Sequence, residues 1–346
     1  MKVARYHAPG DIRIEDAAEP TVGDGEVKIR VRNCSMCGTD LKIYRFGHHH
    51  IDPPRVIGHE IAGEIVEVGA GTDGWRAGDR VQVIAAIPDG TCHECRRGAM
   101  TVCPNQRSMG YHYDGGFAEF MVVPRAVLDV DGLNRIPDSI GYDEASVAEP
   151  LACVINGQEL AKVGPGQDVL VIGAGPIGCL HVRLARARGA AHVFLADLNE
   201  SRLALSAERV HPDETISAAT TDPVEAVGKL TEGRGVDVVV VAAASGAAQE
   251  QALRMVAPRG VVSLFGGLPK DKPHIAVDAN FVHYREVSIV GASGSGPAHN
   301  KAALQLIASG RVPVADLITH RLPLDELETA LRIVASGEAI KVTIEP

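Results

Sequence analysis

The sequence predicts an α/β protein built from a mainly β domain and a doubly wound parallel sheet. Three observations carry this expectation. At 346 residues the chain exceeds what one hydrophobic core usually serves, so two domains are expected. Up to about residue 150, glycine and proline cut it into short, valine-rich runs, which predicts a part all-β in character. Beyond that point similar runs alternate with long helical patterns, the signature of βαβ units.

In the first part, residues 27–31, 60–68, 80–85 and 117–123 alternate in polarity and are rich in valine, so each is expected to be a strand. In the second, 169–172, 192–196, 236–242, 261–265 and 287–290 are more continuously apolar, as strands covered on both faces must be. After residue 292 the pattern predicts helices over 301–309 and 324–335 and a closing strand over 339–344. Neither internal repeats nor a linker-like segment interrupts this order.

A formal charge of -10 repels phosphate backbones and anionic lipid, so a small-molecule partner is expected rather than nucleic acid or membrane. No stretch approaches the ~20 apolar residues that cross a bilayer, and the expected location is cytoplasmic. The cysteines number seven, several in short-spaced clusters, which suits metal binding in a reducing compartment better than a disulfide framework.

The expected strand 169–172 runs directly into Gly173-Ala174-Gly175-Pro176-Ile177-Gly178, a G-x-G-x-x-G turn that opens a helix. Gly173 permits the tight turn, Gly175 lets the backbone approach a pyrophosphate, and Gly178 lets helix and strand pack closely. The helix that starts at Pro176 and Ile177 aims its N-terminus at the phosphates. About twenty residues on, the next strand ends at Asp197, whose carboxylate can accept hydrogen bonds from the adenosine ribose. No cation directly follows Asp197, so NAD is expected over NADP, with Arg202 the nearby charge that complicates the preference. This half is therefore expected to be a Rossmann-type domain.

A second set of residues suits a catalytic metal. Cys37-Gly38-Thr39-Asp40, Gly58-His59-Glu60 and Glu149-Pro150 offer one thiolate, one imidazole and two carboxylates. A catalytic zinc takes three protein ligands and keeps one position open, so four candidates are one too many. Neighbours in an extended segment point to opposite sides, which makes joint ligation by His59 and Glu60 awkward unless the backbone bends there. The reading therefore favours Cys37, His59 and Glu149, with Glu60 an outer or exchanging ligand. Asp40 can receive the other ring N–H of His59, and the Thr39 hydroxyl can both accept and donate, as a proton relay requires. Cys34 and Cys37 also spell a C-x-x-C pair, but no βαβ context surrounds them, and Cys34 reads as buried packing.

Asp89, Cys92, Cys95 and Cys103 form the third constellation. Cys92 and Cys95 make a C-x-x-C knuckle, Cys103 adds a thiolate, and a structural zinc needs a fourth, closed ligand. Asp89 is the expected one, with His93 or Glu94 the alternatives. The acidic net charge argues against a nucleic-acid module here.

In these residues, which fall in family order at family spacing, the chain resembles the zinc-containing medium-chain alcohol dehydrogenases, particularly the sorbitol and threonine dehydrogenase branch. The resemblance implies a GroES-like catalytic domain over 1–150 and 293–346, a Rossmann domain over 151–292, an active site in the cleft between them, and assembly as a homodimer or homotetramer. Two departures stand out. Asp89 occupies a position that is usually cysteine in the family's structural site, and Lys42 replaces the histidine that often ends the proton relay five residues after the catalytic cysteine.

The expected activity is zinc-dependent oxidation of a secondary alcohol, or reduction of the matching ketone, by hydride transfer to or from NAD. An aromatic content of 4% gives little material for an apolar aromatic pocket, which leans the substrate toward a polyol, sugar alcohol or cyclitol. Tyr44, Lys42 and the loop of His48, His49 and His50 offer an alternative fit to a phosphorylated or amino-substituted sugar. The rival readings are a zinc-free medium-chain reductase of quinones or activated double bonds, and a non-enzymatic NAD-sensing protein.

Overall fold

Residues alternate between buried and more exposed along most of strand Val27–Ser35, which makes it the hub of the first sheet. A computed structural model describes residues 1–346 and divides them into two units, Met1–Ala152 with Gly294–Pro346, and Cys153–Ser293.

In the first unit the main sheet runs in the order Leu133–Arg135, Arg80–Val83, Glu60–Val68, Val27–Ser35, Lys341–Glu345, Ile318–Pro323. Phe120–Val123 pairs with the early part of Val27–Ser35. Two registers matter for function. Ser35 lies opposite Glu60, and Thr343 lies opposite Ser35 on the other side, so the chain's closing strand returns to the neighbourhood of residues 34–60. The core beneath is mainly aliphatic, with Val3, Ile29, Ile61 and Ile65 fully buried together with the aromatic ring of Phe117. Each such side chain stabilises the fold by about 1.5–3 kcal/mol relative to exposure.

An all-β first part needs correction, because this unit also carries helices Gly38–Phe46 and Tyr142–Ser146. The first is nucleated locally. Asp40 Oδ2 accepts the Cys37 amide at 2.8 Å, so the Cys37-to-Asp40 motif serves as a helix cap as well as a donor set.

The second unit is a six-stranded, wholly parallel sheet in the order Glu214–Ser217, His192–Asp197, Asp168–Ile172, Val236–Val241, Val256–Leu264, Ser288–Gly291. In sequence order that is 3-2-1-4-5-6, the doubly wound Rossmann arrangement, with its switch point beside Asp168–Ile172. Strand Glu214–Ser217 escapes sequence reading because only Ile216 of its four residues is buried. The closing helices and strand lie at Pro297–Ala308, Leu327–Ser336 and Lys341–Glu345. No helix is long and apolar enough to cross a membrane.

Candidate metal centre and dinucleotide loop

Three donors converge in the first unit: one ligand atom each from Cys37, His59 and Glu60 lies within 4.8 Å of the others. Cys37 caps helix Gly38–Phe46. His59 precedes strand Glu60–Val68, and the backbone before it turns at Gly58 with φ +92°. That conformation suits glycine, and a Cβ there would sit 2.9 Å from both the Cys34 sulfur and the Phe117 ring. His59 is thus outside the strand and exempt from strand alternation. This is why Glu60 joins the gathered set, where strand alternation favoured Glu149.

Glu149 is not among the three gathered donors. It is buried on the first turn of helix Ala148–Leu160, and its charge reaches both Tyr111 and Lys341. Tyr111 packs its ring 6.0 Å from that of His59, centroid to centroid, and burial pushes its hydroxyl up to about 12.

The centre is deeply buried for so polar a cluster: Asp40, His59 and Glu60 are 0%, 8% and 1% exposed. Asp40 Oδ1 lies 3.4 Å from His59 Nδ1, and neither atom has a well-formed hydrogen bond. Burial works against a charged His59, yet the nearby Asp40 and Cys37 outweigh it and raise its proton affinity well above the ordinary value. Both Glu60 carboxylate oxygens also lack a hydrogen bond, although the Lys341 ammonium lies against one of them as an ion pair. Buried polar atoms left in this state are costly unless a further partner completes them. A divalent cation among a thiolate, an imidazole and a carboxylate is such a partner, so the donor set fits zinc. Asp40, facing Nδ1, leaves Nε2 of His59 for that role. The Thr39 hydroxyl stands 3.5 Å from the Cys37 sulfur.

Sequence reasoning missed Lys341 and Tyr111. Lys341 Nζ donates to the Met36 carbonyl at 2.9 Å, and its side chain is 3% exposed. Burial lowers its proton affinity, but Glu60, Cys37 and Glu149 together raise it above the ordinary lysine value. The available signal was a lone lysine inside an otherwise apolar closing run, Ile340-Lys341-Val342.

The second cluster forms as a closed set. Ligand atoms of Asp89, Cys92, Cys95 and Cys103 all lie within 4.8 Å of one another. Asp89 accepts from Asn105 at 2.6 Å and from the Cys92 and Thr91 amides, which hold its carboxyl well below the usual range. Burial and the neighbouring Cys92, Asp89 and Cys103 push the Cys95 thiol up to about 12 when no cation is present to relieve them. Of the alternative fourth donors, His93 is turned toward Glu94, and Glu94 pairs with Arg97. Cys34 is fully buried in strand Val27–Ser35.

In the second unit, Gly173 has φ +110°, and a Cβ on Gly178 would fall 1.8 Å from the Gly173 carbonyl oxygen. Both glycines are demanded by the protein itself. Gly175 is different: no protein atom lies within 4 Å of where its Cβ would be. It caps helix Pro176–Ala187, Pro176 and Ile177 forming the first turn, and no side chain caps that end. Uncapped amides behind a glycine fit a pyrophosphate. Asp197 ends its strand with Oδ2 accepting the Ala174 amide at 2.6 Å and Oδ1 the Asn199 amide at 2.7 Å. Arg202 enters the same loop through its backbone, which donates to Asn199 Oδ1 at 3.0 Å.

Comparison with known proteins agrees with this chemistry. Residues 23–131 match the alcohol dehydrogenase GroES-like domain and residues 176–309 the zinc-binding dehydrogenase domain. The chain is 36% identical to the L-threonine 3-dehydrogenase of Pyrococcus horikoshii, over 93% of this chain and 92% of that one. It is 31% identical to the sorbitol dehydrogenase of Halalkalibacterium halodurans, over 99% and 98%. A zinc-binding dehydrogenase from Sinorhizobium meliloti 1021, solved bound to NADP, superimposes with a TM-score of 0.92 at 30% identity, covering 100% of this chain and 99% of that one. With a thiolate, imidazole and carboxylate gathered on a GroES-like unit and a glycine-rich turn opening a doubly wound one, the chain belongs to the zinc-containing medium-chain alcohol dehydrogenases.

Proposed function

We propose that the enzyme oxidises a secondary alcohol of a polyol, sugar alcohol or cyclitol, or reduces the matching ketone, using NAD in preference to NADP. The observation that carries this reading is the trio of Cys37, His59 and Glu60, with His59 and Glu60 buried and His59 Nδ1 and both Glu60 carboxylate oxygens without a hydrogen bond, beside the Thr39 hydroxyl. In it, Cys37, His59 and a carboxylate from Glu60 or Glu149 hold zinc, while Asp89, Cys92, Cys95 and Cys103 hold a structural ion. When bound, zinc supplies Lewis acidity that lowers the pKa of the substrate hydroxyl, and the dinucleotide accepts the hydride.

The remaining work falls to the chain. Asp40 fixes the ring orientation of His59. Thr39 takes the hydroxyl proton and passes it outward. Lys341 holds the Glu60 carboxylate in place from beneath. Gly173, Gly175, Pro176, Ile177 and Gly178 align the dinucleotide through backbone contacts, and Asp197 disfavours a 2′-phosphate by charge, which supports NAD. A polar surround of Glu149, Tyr111 and Lys341 supports a hydroxyl-rich substrate over an apolar one. A dimer or tetramer and a cytoplasmic location are proposed with it, on the family resemblance and the free cysteines.

The test is the rise in NADH absorbance on a panel of polyols with each cofactor. Turnover with NAD, absent in Cys37→Ala while NAD still binds, supports the proposal. Turnover that prefers NADP, or that survives in Cys37→Ala, contradicts it.

A further inference from the structure

Beside the metal centre, and wholly within the first unit, lies a cavity of about 560 Å³. Its walls include His50, Arg55, Arg107, Tyr111 and His112, and Asp52 is the one acidic residue lining it. Arginines outnumber carboxylates in this lining by one, a local exception on a chain whose formal charge is -10. Tyr111 connects the cavity to the catalytic trio, since its ring packs near His59 on one side and meets His48 edge-on at 4.9 Å on the other. The His50 and His112 rings lie 5.2 Å apart.

The donors are incompletely used. Arg107 is exposed and donates to a neutral partner, the Tyr113 hydroxyl, at 3.3 Å. Arg55 gives one nitrogen to Asp114 at 3.2 Å, while its buried Nε donates to nothing. Burial, followed by the like charges of His50, Arg107 and Arg55, holds the His112 pKa below its ordinary value, with Asp52 pulling the other way. Two guanidinium groups against the single Asp52 carboxylate make the lining net positive whatever the charge on the imidazoles. One wall is also firmly mounted: residues 104–107 follow Cys103, and Asn105 donates to Asp89 of the second cluster.

We propose that this cavity binds the phosphate monoester of the substrate, so that the enzyme's substrates are phosphorylated polyols or sugar alcohols. The inference rests on the dehydrogenase reading above and names the substrate class of that same site. Guanidinium forks and imidazoles are the groups that recognise a phosphate dianion, and the volume falls within the usual range for a small-ligand pocket. A neutral polyol gains nothing from them. Substrate then spans the two regions, its phosphate among Arg107, Arg55 and His112 and its reacting carbinol beyond Tyr111.

Two measurements on the full-length zinc enzyme test this. Steady-state kinetics with NAD compare sorbitol with sorbitol 6-phosphate in the wild type and in Arg107→Gln. The expected result is a KM at least about tenfold lower for the phosphate ester, falling to within about twofold in the variant. Calorimetric titration of the NADH-saturated enzyme, its glycine-rich turn filled, with inorganic phosphate, against sodium chloride of equal ionic strength, is expected to show one saturable site in the wild type and none in Arg107→Gln. This second arm needs no turnover. If phosphate binds and Arg107→Gln abolishes it while neither alcohol is oxidised, the dehydrogenase reading fails and the anion site stands. If sorbitol is oxidised but the ester brings no gain in KM, or phosphate binding survives in Arg107→Gln, the inference is overturned and the dehydrogenase reading stands.

Discussion

Replacing Lys341 with methionine removes one charge from a pair that water barely reaches. The two side chains are 3% and 1% exposed, and Glu60, Cys37 and Glu149 keep the lysine protonated against the effect of burial. The variant leaves the Glu60 carboxylate without its counter-charge and the Met36 carbonyl without its donor. Breaking a buried pair in this way costs about 3–5 kcal/mol, a range that already contains one lost hydrogen bond. Trp75 is the only tryptophan and packs on the core of the first unit, so its fluorescence follows the unfolding of that unit. With a urea slope of about 2 kcal/mol/M, the midpoint of the metal-free protein should fall by about 1.5–2.5 M. In the double variant Lys341→Met with Glu60→Gln both charges are gone, and at least about half of the loss should return. A midpoint shift below about 0.3 M, or a double variant no more stable than the single one, would show that Lys341 does not neutralise Glu60 in the folded protein.

The glycine-rich turn gives a contrasting pair of variants. Gly175→Ala should fold normally and weaken NADH binding by about tenfold or more, because its Cβ meets no protein atom and would stand where the proposed pyrophosphate lies, whereas Gly178→Ala should lower the melting temperature itself, because its Cβ meets the Gly173 carbonyl. NADH fluorescence titration and thermal unfolding of both variants check this, and equal behaviour would contradict it. Cys92→Ser should reduce the zinc content from two ions per chain to one, as measured by elemental analysis; a single ion in the unaltered protein would remove the structural site. His181 is fully buried, and burial, then Arg188, lowers its pKa to about 3 from an unfolded value near 6.5. The unfolded state therefore binds more protons across that window, and His181 contributes stability that is present above pH 6.5 and is lost as the pH falls toward 3. Its ring resonances should stay those of neutral imidazole down to pH 4, and a titration near 6.5 would count against the burial argument.

Features set by local backbone needs were the legible ones. The turn from Gly173 to Gly178 announces itself because a positive φ and a close helix approach exclude side chains wherever such a turn occurs. The Asp89 to Cys103 cluster is legible for a similar reason, since four donors within a short segment need only one loop to meet. Features that depend on pairing between distant segments were not. Whether Glu60 could share an ion with His59 turned on the backbone at Gly58, and strand alternation gave the opposite preference. Lys341 reaches Glu60 only because the closing strand adds to the sheet beside Val27–Ser35, a register no local pattern encodes. The helix Gly38–Phe46 hides in a part dominated by strands because its capping residues double as the metal motif.

Anomalous scattering at the zinc edge, from crystals of the active enzyme, decides whether a metal lies where these donors meet. A peak is expected bound by the Cys37 sulfur, a nitrogen of His59 and a carboxylate oxygen of Glu60 or Glu149, with a second peak among Asp89, Cys92, Cys95 and Cys103. An enzyme that turns over alcohol with no metal between Cys37 and His59 would contradict it.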